Sequence, residues 1–225
     1  MKKSFPASNH RRRVMRTLAL SAIALGGERV FGQSARPACV LTPAQTEGPY
    51  FVDERLDRAD LRTDPARDAV LPGVPLSLAL RVSSLDGTAC TALAGAIVDV
   101  WHCDARGIYS DTAEAPGTQF LRGYQRTDVT GTVRFTTIYP GAYPGRAVHI
   151  HFKVRMRDAE FTSQLYFDDA LTDRVHAQAP YGGVRERRTR NTSDFLYRRG
   201  GDALTLDVAP RGDGYAAAYD VGVRL

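Results

Sequence analysis

The sequence contains few of the residues that build the commonest metal, redox and membrane sites. Only three of its 225 residues are cysteines, and no two of them have the C-x-x-C spacing of a thiolate zinc site. Residues 17–27 form an uncharged run of 11 residues, whereas a helix that spans a bilayer needs about 20. Apolar residues hardly ever recur with the helical period, which argues against a helical bundle. No membrane span is expected.

The excess of positive charge is confined to the amino terminus. The formal net charge is +5, but residues 1–35 contain seven basic residues and one acidic residue. The rest of the chain holds 23 basic and 24 acidic side chains, a net charge of −1. A domain without a basic excess lacks the electrostatic attraction on which nucleic-acid binding depends, so a nucleic acid is not an expected partner.

Residues 1–35 have the layout of an export signal. A basic stretch is followed by the uncharged run and then by small residues near position 35. Residues 11–16, RRRVMR, resemble a twin-arginine signal with Val-Met in place of the usual Phe-Leu. We therefore expect a twin-arginine-type signal peptide over residues 1–35 and export to the periplasm or the extracellular space. An ordinary secretion signal and an uncleaved basic tail are the alternatives.

The three cysteines lie in the part of the chain that would remain after removal of the signal. An oxidising compartment permits one disulfide among Cys39, Cys90 and Cys103 and leaves one thiol over. The sequence does not tell which pair forms.

Residues 36–225 predict one all-β domain, a β-sandwich of mainly antiparallel strands with long loops and little helix. Residues 36–73 are rich in Pro, Asp and Arg and predict an irregular N-terminal arm. From residue 74 apolar and polar residues alternate with the period of a strand. The predicted strands cover 74–82, 96–101, 132–138, 149–154, 161–167, 203–208 and 217–223, and a short helix is predicted over 168–177.

The segment 140–152, PGAYPGRAVHIHF, carries the strongest chemical signal. His149 and His151 are two residues apart, so on a strand both project from the face opposite the apolar residues around them. Tyr143 precedes them in a Pro/Gly loop. Two imidazoles and a hard phenolate donor favour ferric iron over zinc, which would want thiolates, a carboxylate or a third histidine. An exposed pair of strand histidines and the zinc or copper site of a hydrolase are the alternatives.

Three further stretches accompany this segment. Residues 98–110, VDVWHCDARGIYS, predict a strand that runs into a glycine turn followed by a tyrosine; residues 120–128 read FLRGYQRTD, and residues 46–51 read TEGPYF. Together with the segment 140–152, these stretches resemble the intradiol ring-cleavage dioxygenases, the non-haem ferric enzymes that include protocatechuate and catechol dioxygenases. The shared order is G-x-Y, then PGxYP, then R-x-x-H-I-H. The resemblance runs from about residue 41 to residue 167.

The resemblance implies a non-haem Fe(III) cofactor with four protein ligands. The implied ligands are Tyr109, Tyr143, His149 and His151. Tyr143 and His149 would be axial, and Tyr143 would leave the metal when substrate binds. Tyr109 and His151 would be equatorial and stay in place.

The resemblance also implies the residues that serve the reaction. Arg146 would lie against the substrate ring and stabilise negative charge there, Gln164 would lie behind the iron, and Pro49 and Tyr50 would line the substrate pocket. The implied activity inserts both atoms of O2 into a catechol-type aromatic and cleaves the ring between its two hydroxylated carbons, giving a cis,cis-muconate-type diacid. The implied partners are that substrate, O2 and, as in many members of the family, further copies of the chain in a homo-oligomer.

The chain departs from the family pattern beside the histidines. Only five residues separate Tyr143 from His149, where the family usually has a longer loop, so the identity of the catechol does not follow from the resemblance. His102 and Asp104 are further residues with ligand chemistry, but His102 has no counterpart in the family. Trp101 resembles a family tryptophan and is otherwise a core residue. A catalytically inactive β-sandwich binding module of the same fold is the functional alternative.

Overall fold

Strands account for most of the regular structure in the computed structural model, which describes Met1 and residues 40–86, 89–157, 159–183 and 188–224. The strands are β1 Thr63–Asp64, β2 Ala69–Val70, β3 Pro75–Asp86, β4 Ala89–Ala92, β5 Ile97–Trp101, β6 Arg122–Arg126, β7 Thr132–Ile138, β8 His149–Met156, β9 Ala159–Tyr166, β10 Asp207–Arg211 and β11 Gly214–Val223. Helix α1 covers Asp169–His176, and short 3-10 turns cover Tyr181–Gly183 and Asn191–Ser193. The predicted all-β class is confirmed.

Two sheets carry the fold. The first has four strands in the order β6-β5-β8-β9, and all its pairs are antiparallel. The second has five strands: β10, β11, β3 and β4 follow one another, and β7 also pairs with β3. In this second sheet only the pair of β11 with β3 is parallel, which confirms the mainly antiparallel sandwich.

Period-two alternation places the core. Alternate residues of β3 are buried, and they join one hydrophobic cluster with side chains from β5, β7 and β8. The cluster includes Leu76, Leu78, Leu80, Val98, Val100, Phe135, Ile150, Phe152 and Val154. The core therefore takes one face of β8, and the opposite face of that strand is left for polar side chains.

The N-terminal arm is largely irregular in its described part, from residue 40 to residue 73, apart from β1 and β2. It attaches to both sheets through isolated bridges, from Asp57 to Tyr124 and from Asp60 to Thr136. The signal peptide predicted over residues 1–35 lies outside the described residues except for Met1. Within the described part of the chain, no helix is both long and apolar enough to cross a membrane.

Two strand predictions need correction. The strand expected over 203–208 is observed at Asp207–Arg211, because residues 203–206 form a turn that pairs with β9 only through the bridge of Thr205 with Tyr166. Strand β6 was not predicted, because its sequence, RGYQR, lacks apolar alternation. It is fixed instead by tertiary contacts: a Cβ at Gly123 would meet Leu61 Cδ2 at 2.8 Å.

The predicted short helix is present, and two of the three cysteines lie in the described part of the chain. Helix α1 begins after Asp168, whose Oδ1 accepts from Leu171 N at 2.8 Å, as an N-cap does. Cys103 is a buried free thiol, and Cys90 is disulfide-bonded. Cys39 lies outside the described residues.

Candidate metal centre

Strand β8 presents His149 and His151 together on its polar face. Both side chains are almost fully buried, with 2% and 1% of their surface exposed. The alternative of an exposed strand pair is therefore wrong. Other parts of the chain must therefore cover this polar face of β8, and they contribute further side chains to the site.

The strand register places three further side chains next to the two histidines. Trp101 on β5 and Gln164 on β9 lie opposite His151, and Tyr166 on β9 lies opposite His149. Residues that are paired across neighbouring strands share a face. Gln164, which had been predicted behind the metal, is thus placed beside the histidines by the sheet itself.

The segment 45–51 covers this face. Its backbone joins β9 through Gln45 N, which donates to Thr162 O at 3.0 Å, and Glu47 forms an ion pair with Lys153 of β8. Gly48 has a φ of +73°, and a Cβ there would lie 3.5 Å from His151 Cε1. The segment therefore passes directly over the histidines.

Tyr109 and Tyr143 lie on two loops that approach each other closely. Tyr109 follows β5, and Tyr143 precedes β8. Gly107 has a φ of +89°, and a Cβ there would lie 2.2 Å from Ala142 O. Only glycine allows the first loop to approach the second this closely.

The four side chains predicted as ligands converge on His149 Nε2. This nitrogen lies 3.0 Å from His151 Nε2, 3.1 Å from Tyr143 Oη and 3.5 Å from Tyr109 Oη. Two ligands about 2 Å from one ion, at roughly right angles, lie about 3 Å apart. The observed separations therefore match donors that share a single ion.

The hydrogen bonding of His149 shows why a cation fits. Its Nδ1 lies 2.6 Å from Ala147 O, so Nδ1 carries the proton and Nε2 of the neutral ring carries the lone pair. One lone pair accepts one good hydrogen bond, yet four polar groups lie within 3.5 Å of it: the two phenol oxygens, His151 Nε2 and Arg146 Nη1. His151 Nδ1 is buried without a hydrogen-bond partner. A metal ion at the centre would use the donor atoms of all four predicted ligands at once.

Burial sets the protonation of these groups in the protein without a metal. It lowers the pKa of His149 to about 3, with a further contribution from the Arg146 charge, and lowers the pKa of His151 well below its ordinary value. Burial also raises the pKa of Tyr109 strongly and that of Tyr143 to about 12. Both imidazoles are therefore neutral, the form that binds metals, and both phenols keep their protons until a cation displaces them.

Aromatic rings hold two of the four side chains in place. Trp101 stacks on His151 with ring centroids 4.9 Å apart and an interplanar angle of 11°. Tyr50 stacks on Tyr109 at 4.4 Å and 18°. Tyr50 is half-buried and Pro49 is exposed, so both lie on the solvent side of the site.

Arg146 lies at the edge of the same site. Its Nη1 is 3.5 Å from His149 Nε2, and its Nη2 donates to Gln164 Oε1 at 2.6 Å. Gln164 in turn donates through Nε2 to Thr46 O at 2.8 Å. The predicted arginine and glutamine thus form one unit that joins β9 to the covering segment.

Asp194 and Tyr166 were not singled out from the sequence. Asp194 Oδ2 accepts from Arg146 Nε at 3.0 Å, and Tyr166 Oη lies 3.4 Å from Arg146 Nη2. Asp194 is 48 residues from Arg146 in an irregular stretch, so no local pattern marks it. Tyr166 was identifiable only through the register of β9 with β8.

His102 and Asp104 have structural roles. The ring nitrogens of His102 lie 2.8 Å from Cys103 O and 2.7 Å from Thr137 Oγ1. Asp104 Oδ1 accepts from the backbone N–H of Arg106 and Ile108, which fixes the turn before Tyr109. No cluster of three or more His, Cys, Asp or Glu side chains able to hold a metal is found in the part of the chain that the structure describes.

Comparisons with known proteins find related chains. A protein-family model described as Dioxygenase matches residues 46–193. Chlorocatechol 1,2-dioxygenase of Cupriavidus pinatubonensis is 31% identical over 159 residues, which are 59% of this chain and 57% of the relative. The protocatechuate 3,4-dioxygenase beta chain of Burkholderia cepacia is 33% identical over 186 residues, which are 75% of this chain and 74% of the relative.

A solved structure extends the match to the fold. The intradiol ring-cleavage dioxygenase from Tetranychus urticae superposes with a TM-score of 0.72 and 29% identity, over 83% of this chain and 95% of that one. The chain spans little more than half the length of the chlorocatechol dioxygenases that it matches. The family model, the relatives and the shared fold show that the chain belongs to the intradiol ring-cleavage dioxygenase family.

Proposed function

We propose that this protein is a non-haem Fe(III) intradiol dioxygenase. It inserts both atoms of O2 into a catechol-type aromatic and cleaves the ring between the two hydroxylated carbons, giving a cis,cis-muconate-type diacid. One observation carries the proposal: two phenol oxygens and an imidazole nitrogen lie within 3.5 Å of His149 Nε2 in a buried site. This donor set suits a hard trivalent ion, and the family generally uses non-haem iron.

The residues that would hold the iron are Tyr109, Tyr143, His149 and His151. When bound, Fe(III) would take both oxygens of a catechol and mediate electron transfer from the ring to dioxygen. The protein's own contribution is to hold four donors on rigid supports and to keep water away from them. Three of the four side chains are at most 3% exposed.

Tyr143 is the ligand best placed to leave. It lies on a loop and is half-buried, whereas Tyr109 is 3% exposed and stacked under Tyr50. Burial raises the pKa of Tyr143, while the Arg146 charge counteracts that rise. We therefore assign Tyr143 as the phenolate that would give way to substrate and take up, at Oη, a proton from a catechol hydroxyl, and Tyr109 as the one that would stay.

Arg146 supplies a fixed positive charge where the substrate ring becomes electron-rich. Its Nη1 faces His149 Nε2, and its Nη2 is held by Gln164. A preorganised charge in a buried site stabilises a developing anion without reorganisation during the reaction. We assign Arg146 as catalytic and Gln164 as the residue that orients it.

The substrate would enter beside the covering segment. Pro49 is exposed, and Tyr50 is half-buried with its ring against Tyr109, so a planar aromatic that enters from solvent would pass both. We assign Pro49 and Tyr50 to the wall of the substrate pocket. Matched relatives are named for chlorocatechol, catechol and protocatechuate, and the 1,2-dihydroxybenzene unit they share defines the substrate class.

Export through the twin-arginine route completes the proposal. The route carries folded proteins, so it suits an enzyme that acquires its metal before export. Replacing Arg11, Arg12 and Arg13 with lysine should leave the protein in the cytoplasm of a bacterial host, as fractionation would show. Unchanged export of the triple variant would contradict this assignment.

The decisive experiment combines metal analysis with an activity panel. The purified protein should contain about one iron per chain, show a visible phenolate-to-Fe(III) charge-transfer band, and consume O2 with at least one of catechol, protocatechuate, hydroxyquinol and chlorinated catechols. Tyr109→Phe should remove most of the band, and Tyr124→Phe, which alters a phenol outside the site, should not. Bound iron without O2 uptake on any catechol would indicate the inactive module, and zinc or copper in place of iron would refute the cofactor.

A further inference from the structure

The side chain of Asp194 makes an unusually complete set of bonds for a carboxylate outside the ligand set. It is fully buried. Oδ2 accepts from Arg146 Nε at 3.0 Å and from Ala147 N at 2.7 Å. Oδ1 accepts from Leu196 N at 2.7 Å and from Tyr197 N at 3.3 Å. The four N–H groups satisfy the carboxylate from both sides, so its position is fixed.

Asp194 fixes the guanidinium of Arg146 at one edge, and β9 fixes it at another. Nε is bound by Asp194, and Nη2 is bound by Gln164 at 2.6 Å. The remaining corner, Nη1, is the one that faces His149 Nε2 at 3.5 Å. Because Nε and Nη2 are both hydrogen-bonded, the side chain of Arg146 cannot rotate freely, and the direction of Nη1 is fixed.

The bonds continue into a closed network. Leu196 O accepts from Gln45 Nε2 at 3.0 Å, and Gln45 Oε1 accepts from Tyr166 Oη at 2.6 Å. Tyr166 Oη also lies 3.2 Å from Gln164 Oε1. The network ties the covering segment, β9 and the stretch around Asp194 to one arginine. The family model ends at residue 193, so Asp194 lies just beyond the matched region.

We propose that Asp194 is a positioning residue for the reaction: its carboxylate holds the Arg146 guanidinium so that Nη1 points into the metal centre. The inference rests on the dioxygenase function proposed above. Asp194 acts through Arg146 and does not itself touch the reacting atoms. Loss of the carboxylate frees Nε, and the guanidinium can then rotate away from the site. A misplacement of about 1 Å can lower a rate by on the order of 100-fold.

A second route of action must be separated from this one. Asp194 also binds Ala147 N, and Ala147 O accepts from His149 Nδ1 at 2.6 Å. Through this route the carboxylate would act on a metal ligand and not on the arginine. The two routes differ in their spectroscopic effects, because only the second disturbs the donor set of the iron.

A double-mutant cycle distinguishes the routes. Asp194→Asn keeps the shape of the side chain but turns an N–H group toward one pair of its donors. In the wild-type background, Asp194→Asn should lower kcat about 10- to 100-fold while iron content and the charge-transfer band stay unchanged. In an Arg146→Met background, Asp194→Asn should have almost no further effect. An equal loss in both backgrounds, or a changed band in the single variant, would overturn the proposal.

Two matched variants serve as references. Asp173→Asn removes a carboxylate that binds Arg188 and Arg190 away from the site, and it should leave kcat unchanged. Asp194→Glu keeps the charge and should recover part of the activity that Asp194→Asn loses. If Asp194→Glu were no better than Asp194→Asn at equal thermal stability, the charge at this position would not be what orients Arg146.

A measurement on the metal-free protein tests the positioning without any activity. The Nε–H proton of Arg146 should exchange slowly and have a shifted NMR resonance in the wild type, because the proton is bound to a buried carboxylate. Asp194→Asn should abolish this protection. Equal exchange in both proteins would refute the positioning role, whereas absent O2 uptake by an iron-loaded wild type would refute only the function on which it rests.

Discussion

Replacing Arg146 with methionine removes the positive charge of the candidate site and keeps most of the side-chain volume. Arg146 Nη1 lies 3.5 Å from His149 Nε2, and we take about 5 Å as the separation between the guanidinium and a charge on a ring bound at this centre. At an effective dielectric constant of about 20, two unit charges at about 5 Å interact by roughly 3 kcal/mol. A loss of that size in the transition state lowers kcat on the order of 100-fold.

The assay is O2 uptake at saturating catechol, with iron content and the visible band measured on the same samples. Arg146→Lys keeps the charge but cannot bind Asp194 and Gln164 at once, so its loss should lie between the wild type and Arg146→Met. Arg190→Met is the matched control, because Arg190 is half exposed and pairs with Asp173 at a distance from the site. It should retain the full rate.

The result that would refute this reasoning is specific. If Arg146→Met bound iron normally and turned over catechol at the wild-type kcat, the fixed charge would have no role in the chemical step. If only KM rose, Arg146 would bind the ground state and the transition state equally. In either case the electrostatic assignment of Arg146 would have to be withdrawn.

Three further outcomes follow from the site and its supports. Tyr143→Phe should slow substrate binding and turnover while it retains some iron and colour, whereas Tyr109→Phe should remove most of the visible band; equal spectra in the two variants would contradict the ligand roles. Burial alone would raise the pKa of Asp194, but the N–H groups and the arginine bound to it outweigh burial and lower the pKa. The contribution of Asp194 to stability is therefore present above about pH 4 and is lost as the pH falls further. Acid unfolding of Asp194→Asn should depend less steeply on pH than that of the wild type. Gly107→Ala should lower the thermal midpoint far more than Gly145→Ala. Both glycines have positive φ, but of the two only Gly107 would place an added Cβ against a backbone oxygen, at 2.2 Å. The free energies of unfolding of the two variants should therefore differ by at least about 1 kcal/mol, which measures the close approach of the loops.

The sequence alone predicted the parts of the fold that depend on local pattern. The alternation of apolar and polar residues along β3 and β8 fixed which face of each strand is buried. It therefore placed His149 and His151 on one face before any contact was known. Strand β6 was missed because its residues, RGYQR, carry no alternation. Its position depends on contacts of Gly123 with the arm, which is distant in sequence.

The residues of the candidate site differ in the same way: some could be predicted from local sequence pattern and others could not. Tyr143 and the two histidines were predicted from the spacing of residues within one short segment, and Tyr109 was predicted from the family resemblance; the structure brings the four side chains together. Asp194 and Tyr166 have no such motif, since what links them to the site is a bond across 48 residues or a strand register. The burial of the two histidines could not be predicted from the sequence either. The histidines would lie on an open face of the sheet if the segment 45–51 did not cover it.

The short connection between Tyr143 and His149 bears on the role proposed for Asp194. Arg146 lies in the middle of only five residues, so a ligand loop and a charged side chain share one backbone. The side chain of Arg146 can still rotate about its own bonds, so the short loop alone does not fix the direction of its guanidinium. Asp194, which lies outside the loop, binds both Ala147 N and Arg146 Nε. We therefore infer that the carboxylate sets the direction of the charge from outside the ligand loop.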